Sequence, residues 1–162
     1  MNEKELFTDF WSKEAKTTRK VLSRIPEGSD YKPDPKSRTA WQLAAHLATA
    51  DIWFIECITA GKFHFDPEKA REQESKFRSV NDIVDFYKKT FPEKLNSLKS
   101  MPAPAMTEDV DFFNMMKMPR AQWIGFANNH SIHHRGQLAA YLRAMGSKVP
   151  NIYGPSADAE KP

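Results

Sequence analysis

Three histidines occupy positions from which they could hold a metal ion between two helices. His130 and His134 are four residues apart in a helical segment near the end of the chain, and side chains at this spacing lie one turn apart on the same face. His46 falls on the apolar face of an earlier helical segment, in line with Leu43 and Trp53. One cation would satisfy a nitrogen on each imidazole, whereas three buried imidazoles without partners would be costly. Three core histidines bonded to surrounding protein are the alternative, and the residues alone leave both interpretations open.

The other side chains that could ligate a metal are weaker candidates. His133 lies beside the pair, but its direction on the helix is toward the edge of the apolar face, so we expect it at the flank or the surface. His64 falls in a segment without clear periodicity and is expected to be solvated. Cys57 is three turns after His46, or about 16 Å along the helix axis, so we expect a core thiol that cannot share the ion.

The histidine-bearing elements belong to a helical pattern that begins near the N-terminus. Apolar residues recur at three- and four-residue steps over residues 6–25, and a proline and a glycine then end this first helix. Residues 27–38 have the proline, glycine and serine content of a loop. Thr39-Ala-Trp-Gln42 has the form of a capping box, which predicts a second helix over residues 40–60 that stops near Gly61.

Further helices and a long loop complete the pattern. Asp66 followed by Pro67 predicts a short helix, and a third long helical period covers residues 80–98. That period must tolerate Pro92, and an interior proline costs roughly 3 kcal/mol and kinks or breaks a helix. Residues 100–119 show little periodicity and predict a long loop wrapped over the bundle, after which the final helix runs over residues 119–146. Residues 1–162 are thus predicted to form one all-α domain, a four-helix bundle with an irregular tail from about residue 150.

Composition excludes several classes of protein. With 40% hydrophobic and 12% aromatic residues, the 162-residue chain can build a sizeable core. Its 24 basic and 21 acidic residues are interleaved, which argues against a nucleic-acid surface. One cysteine and an N-terminus without a basic-then-apolar layout predict a cytoplasmic protein. Charged residues interrupt even the most apolar stretch before the roughly 20 residues that a membrane span needs, so we expect no membrane association.

Two sequence motifs resemble those of the DinB/YfiT-like superfamily. Asn129-His-Ser-Ile-His-His-Arg-Gly-Gln-Leu-Ala-Ala-Tyr-Leu-Arg143, followed by Val149-Pro-Asn-Ile-Tyr-Gly154, is similar to its characteristic C-terminal region. Thr39-Ala-Trp-Gln-Leu-Ala-Ala-His46 is similar to its first ligand-bearing helix. The resemblance implies a four-helix bundle with one long crossover and metal ligation by His46, His130 and His134. It also implies a homodimer, and members with a known activity include transferases and isomerases that use a thiol such as bacillithiol or mycothiol.

The expected chemistry follows from a donor set of three neutral imidazoles. Such a set leaves a coordination position open to a small-molecule substrate, as in catalytic sites, and it accepts zinc or nickel, which we favour, or iron. We expect a low-molecular-weight thiol to lose its proton there and attack an electrophilic carbon. The alternatives are a metal-dependent hydrolase, a module that binds a ligand without turnover, and a bundle in which the ion only staples helices. No side chain beyond the ligands has an evident acid or base role, so no catalytic residue is assigned.

Several other side chains are candidate parts of the site. Gln137 and Tyr141 share the ligand face of the last helix and are candidates to hydrogen-bond a ligand or a substrate. Trp53 is a candidate wall of the pocket, and so are the methionines between residues 115 and 118. Gly136 follows the ligand turn, where it costs about 1 kcal/mol relative to alanine. Close approach of a neighbouring helix would explain that glycine.

Overall fold

Four long helices and one short helix make up most of the computed structural model, which describes residues 2–158. The helices are α1 (Glu3–Leu22), α2 (Ala40–Ala60), α3 (Pro67–Ser75), α4 (Val80–Lys99) and α5 (Arg120–Ala144). A short 3-10 helix (Ala103–Thr107) and a hairpin of β1 (Asp109–Phe112) and β2 (Met116–Pro119) connect α4 to α5. The predicted all-α four-helix bundle with short additional elements is confirmed.

The four long helices stand at the corners of a square. Helix α1 packs against α4 and α5, and α2 packs against the same two helices. Consecutive long helices α1 and α2 are therefore diagonal neighbours, and residues 23–39 cross the end of the bundle between them. This crossover brings α2 beside α5, which places the histidine of one helix next to the histidine pair of the other.

Side-chain caps define where α1 to α4 begin, as the sequence predicts for α2, whereas α5 begins after Pro119 without one. Thr39 Oγ1 accepts a hydrogen bond from the Gln42 backbone N–H at 3.2 Å, and Gln42 Oε1 accepts one from the Thr39 N–H at 3.0 Å. Helix α2 ends at Gly61 with a φ of 73°, a left-handed conformation that glycine adopts without strain. Helix α1 ends three residues earlier than predicted, because Arg24 and Ile25 close tighter turns onto Val21 and Leu22.

Helix α4 continues through Pro92 without ending. The residue is exposed, so the carbonyl that loses its intrahelical partner can bond to water. The neighbouring Phe91 and Leu95 are 3% exposed, and their burial holds the segment against the bundle. Packing therefore offsets the local cost of this proline.

The prediction of a long loop over residues 100–119 is wrong. Two four-residue strands pair antiparallel there, with Val110 opposite Met118. Val110 is fully buried, and its carbonyl accepts a hydrogen bond from Trp123 Nε1 at 3.0 Å. The turn uses positive φ at Phe113 and Asn114, of which only the second is a usual residue for that conformation. Such short strands carry too few alternations to stand out in the sequence.

Helix α2 is the central element of the core. It is long enough and apolar enough to span a membrane by length and composition, with a mean hydropathy of 1.3 over 18 residues, contrary to what the sequence pattern led us to expect. However, 61% of that window is buried inside the bundle. Its inner face joins Trp11 of α1 and Trp123 of α5 in one continuous cluster of buried side chains. The apolarity of α2 is thus explained by its contacts with the other helices.

Candidate metal centre

The fold brings His46 of α2 together with His130 and His134 of α5. One ring nitrogen from each residue lies within 4.8 Å of the nitrogens of the other two. The ring centroids are 4.4 Å apart between His130 and His134, 4.9 Å between His46 and His134, and 5.3 Å between His46 and His130. This is the only group of three or more histidine, cysteine or acidic side chains with this geometry among residues 2–158.

A hydrogen bond directs the lone pair of His134 toward the centre of this cluster, whereas His130 Nδ1 is buried without a partner among residues 2–158. His134 Nδ1 lies 2.7 Å from Gln137 Oε1. Because an amide oxygen can only accept a hydrogen bond, Nδ1 carries the proton and Nε2 keeps its lone pair. His134 Nε2 lies 3.1 Å from His130 Nε2. Ligand nitrogens on a tetrahedral ion are about 3.3 Å apart when the bonds are about 2.0–2.1 Å long. The His130–His134 pair has this spacing, and a His46 nitrogen lies within 4.8 Å of both. With no competing carboxylate, this donor set fits a divalent transition metal.

The electrostatic environment keeps the three imidazoles neutral. Burial lowers the pKa of His46 and of His130 to about 4, and it also lowers the pKa of His134. The positive charge of Arg38 contributes to the lowering of the pKa in all three cases. A neutral imidazole is the form that binds a metal, so the cluster is ready to ligate near neutral pH.

The histidines are half-buried and border a cleft, whereas the helical pattern of the sequence predicts them within the buried face. His46 and His130 line a cavity of about 770 Å³ between α2, α3 and α4. Trp53 and Phe54 form part of its wall, and the Phe54 ring packs edge-on against His130 at 5.3 Å. The cavity gives a small molecule access to the histidine cluster.

Several predicted roles have a clear outcome in the structure. Trp53 lines the cavity as expected, but the methionines between residues 115 and 118 do not, because the hairpin carries them away from it. Gln137 bonds to a histidine of the cluster, whereas the Tyr141 ring packs against Tyr31 instead. A Cβ atom added at Gly136 would meet nothing within 4 Å, so close approach of another helix does not explain this residue.

The weaker ligand candidates lie outside the cluster. His133 is exposed, with its ring centroid 5.0 Å from that of His134. The exposed His64 lines the cleft, and its backbone carbonyl accepts a hydrogen bond from Trp53 Nε1 at 2.6 Å. Cys57 is 6% exposed, and burial raises the pKa of its thiol. These positions agree with the expected flank, solvated and core roles.

A buried carboxyl group between α2, α4 and α5 was not identified from the sequence. Asp51 is fully buried, and Tyr87 donates a hydrogen bond to its Oδ2 at 2.6 Å. Ser131 Oγ contacts Asp51 Oδ1 and also lies 3.0 Å from the Ala127 carbonyl oxygen. Burial raises the pKa of Asp51 to about 7. The one available signal was an acidic residue inside an otherwise apolar helix.

A buried ion pair fixes α5 directly beside the histidine cluster. Arg135 is 1% exposed and donates to Glu14 Oε2 on α1 at 2.6 Å. Tyr153 of the C-terminal segment donates to the same carboxylate oxygen at 2.8 Å and contacts Arg135. The sequence offered a signal for this network, since Arg135 and Tyr153 belong to the two halves of the quoted C-terminal motif. These contacts tie the histidine-bearing helix α5 to α1 and to the C-terminal segment.

Comparison with known families agrees with this geometry. The model of the DinB family matches residues 1–161. The chain belongs to the DinB family. Two proteins of Bacillus subtilis strain 168 are similar in sequence to this DinB chain. YrdA is 28% identical over 154 residues, which cover 94% of this chain and 89% of YrdA. YjoA is 28% identical over 119 residues, which cover 72% and 73% of the two chains.

Solved structures share the DinB fold. The crystal structures of DinB-like proteins from Bacillus subtilis (YjoA) and Bacillus cereus ATCC 10987 both give a TM-score of 0.72, at 20% and 27% identity. They cover 93% and 91% of this chain, and 99% and 95% of their own lengths. A mutant of the mycothiol-dependent maleylpyruvate isomerase gives a TM-score of 0.59 at 12% identity, over 85% of this chain and 61% of the isomerase. The bundle is therefore the shared feature, over nearly the whole chain.

Proposed function

We propose that this DinB-family chain holds one divalent transition metal at His46, His130 and His134 and acts as a thiol S-transferase. Zinc and nickel are the favoured ions, with iron as a third that imidazole donors accept. The observation that carries the proposal is the convergence of three neutral imidazoles at the edge of an open cavity of about 770 Å³. Three protein ligands leave a position free for a substrate, unlike the four ligands of a closed structural zinc site.

The metal, when bound, would lower the pKa of a thiol at the open position so that a thiolate forms near neutral pH. The chain's own residues hold and shape this site. Gln137 fixes the tautomer of His134, and the buried Arg135–Glu14 pair fixes the rotation of α5. Trp53 and Phe54 provide the apolar wall against which a small electrophile can pack.

The proposed reaction joins sulfur to carbon. The thiol releases its proton to solvent, the sulfur lone pair forms a bond to the electrophilic carbon, and the bond to the leaving group breaks with its electrons. Thiol chemistry is supported by the structural neighbour described as mycothiol-dependent, whose bundle is similar. Cytoplasmic location, a homodimer and the absence of nucleic-acid partners remain predictions from the sequence.

Metal content tests the first half of this proposal. The chain is purified without a histidine tag from medium that contains zinc, nickel and iron, and bound metals are measured by plasma mass spectrometry. We expect close to one ion per chain in the parent and in His133→Ala, and none in the folded triple variant His46→Ala, His130→Ala, His134→Ala. The exposed His133 makes that variant a matched control. A parent chain that stays empty in metal-rich medium would overturn the metal site.

Turnover tests the second half. The metal-loaded chain is incubated with 1-chloro-2,4-dinitrobenzene with and without 2-mercaptoethanol, and products are separated by mass spectrometry. A transferase yields the sulfur adduct faster than the triple variant does. Formation of only the hydroxylated product, equally fast without thiol, would identify a hydrolase and contradict the transferase. Metal binding without either product over a broad panel of electrophiles would leave the chain a ligand-binding module.

A further inference from the structure

The cleft beside the histidine cluster carries one cation that the protein leaves without a partner. Arg38 lines the cavity together with His46 and His130. Within residues 2–158 its guanidinium forms neither a hydrogen bond nor an ion pair with a protein group. By contrast, Lys94 on the same cavity wall pairs with Glu56 at 2.7 Å. Arg38 is exposed, so its five N–H donors face solvent, and a ligand in the cleft can bind them in place of water.

The backbone of Arg38 is held beside the start of α2, and helix stability does not explain a positive charge there. The next residue, Thr39, is the N-cap of α2 and is held by the two hydrogen bonds of the capping box. A positive charge at a helix N-terminus is unfavourable because it faces the positive end of the helix dipole. The first turn of α2 contains no acidic residue that would compensate for it. The Arg38 charge therefore gains no stabilisation from the helix that follows it.

With a divalent ion bound, the histidine cluster would favour an anionic ligand. Arg38 lines the same cavity as His46 and His130, and no carboxylate among the described residues belongs to the histidine cluster. The other charged or titratable residues that line the cleft are Glu56, His64, Asp66, Lys69, Glu74 and Lys94. Asp66 caps α3 through the Glu68 and Lys69 backbone N–H groups, and Glu56 is already paired. Glu74 on α3 forms no ion pair among the described residues and offsets one positive charge of the lining. A divalent ion held by neutral imidazoles would still leave an excess of positive charge that a substrate can neutralise.

We propose that the cleft takes a small thiol that also carries a carboxylate, with the carboxylate on the Arg38 guanidinium and the sulfur at the three-histidine site. This inference rests on the proposed function, since it assigns the substrate class of the same site. A guanidinium binds a carboxylate through two parallel N–H···O bonds, which fixes direction as well as affinity. Arg38 thus selects among thiols and orients the sulfur toward the histidines.

Binding to the cobalt(II)-loaded full-length chain tests the inference without turnover. A thiolate on cobalt(II) gives a near-ultraviolet charge-transfer absorption, which reports the dissociation constant of each thiol. The two probes are 3-mercaptopropionate and its neutral isostere 3-mercaptopropionamide. We expect the parent to prefer the acid over the amide by about tenfold. Arg38→Gln should reduce this preference to about one while leaving the affinity for the amide unchanged, and Arg38→Lys should retain part of it.

Lys36→Gln is the matched control, because it removes the same charge from the same loop but lies outside the cavity lining. It should keep the parent preference. The comparison uses the ratio of the two affinities, so intrinsic differences between the two thiols cancel among the variants. Equal binding of acid and amide by the parent, or an unchanged ratio in Arg38→Gln, would overturn the role of Arg38. Neither result would contradict thiol binding at the histidines. A chain that binds cobalt(II) but neither thiol would refute the proposed function itself.

Discussion

At the scale of single residues, the histidine site depends on a side chain that would not touch the ion. Gln137 accepts the His134 Nδ1–H hydrogen bond at 2.7 Å and so presents Nε2 to the cluster. Partners of this kind typically contribute 10–100-fold to metal affinity. Because the bond sets both tautomer and ring orientation, its loss should weaken the site without unfolding the chain.

We predict that Gln137→Leu raises the dissociation constant for Zn²⁺ by about 10–100-fold, as measured by competition with a chromogenic chelator. Gln137→Glu should restore most of the affinity, since a carboxylate is a stronger acceptor for the same N–H. The exposed Gln122 at the start of α5 provides the control substitution Gln122→Leu, for which no change is expected. Parental affinity in Gln137→Leu would show that Gln137 does not orient the ligand.

The second prediction at the residue scale concerns the protonation of Asp51. The single Ser131 hydroxyl hydrogen can serve either Asp51 or the Ala127 carbonyl, and a protonated Asp51 would supply the second hydrogen. The pKa of Asp51 is about 7 in the fold, against an ordinary value of 3.8. The folded state therefore binds more protons between pH 4 and 7, and stability contributed by this group falls as pH rises through that window.

We predict that Asp51→Asn removes this pH dependence, because the amide is isosteric with the neutral acid and does not titrate. The free energy of unfolding of the parent minus that of Asp51→Asn should decrease from pH 4 to pH 7, by at most about 1.4 kcal/mol per pH unit. Urea titrations at several pH values measure the difference. A difference that is constant with pH would mean that Asp51 is ionised in the fold throughout. The variant Asp51→Ala should lower the free energy of unfolding at every pH, because it leaves the Tyr87 hydroxyl unpaired.

At the scale of elements, the structure requires glycine at one helix position, Gly61, and does not require it at another, Gly136. Gly136 is exposed in the interior of α5 with open space around a hypothetical Cβ atom. Gly61 ends α2 with a φ of 73°, and an added Cβ would collide with the Arg120 guanidinium. That guanidinium is buried and donates to the Ile58 carbonyl at 2.9 Å, so it cannot move aside without losing a bond.

We predict that Gly136→Ala stabilises the chain by about 0.5–1 kcal/mol, since alanine costs less backbone entropy in a helix. Gly61→Ala should destabilise it by more than about 1 kcal/mol, because it adds left-handed strain and displaces Arg120. Chemical denaturation of the two variants under identical conditions compares them. Destabilisation by Gly136→Ala would point to a requirement at this position that the helix geometry does not contain.

At the scale of the whole molecule, the core and the metal site are separable sources of stability. Helices α1, α2, α4 and α5 bury one continuous apolar cluster, which includes Trp11 and Trp123 at 0% exposure. The histidines lie at the edge of this cluster, between α2 and α5 only. The bundle should therefore fold without an ion, and an ion should add stability by mass action.

We predict that removal of metal with EDTA lowers the melting temperature by about 8–16 °C and leaves the helical circular dichroism signal at 25 °C unchanged. An ion at about 1,000 times its dissociation constant contributes about 4 kcal/mol, and a domain of this size shifts by about 2–4 °C per kcal/mol. The triple histidine variant should melt at one temperature with and without metal. Loss of the helical signal on chelation would instead make the ion a structural staple.

The sequence by itself determined the helices and the candidate ligand residues, because both depend on local spacing. Capping residues and three- to four-residue periodicity predicted α2 to its observed bounds, and an i, i+4 histidine pair shares a helix face in any fold. Only the tertiary structure decided that α2 lies beside α5, that the histidines border a cleft, and that Arg38 lines it. It also revealed the hairpin and the buried Asp51 and Arg135, whose environments are formed by residues 36 to 121 positions away in sequence. Burial and charge at a site are sums over such distant neighbours, and no local pattern records them.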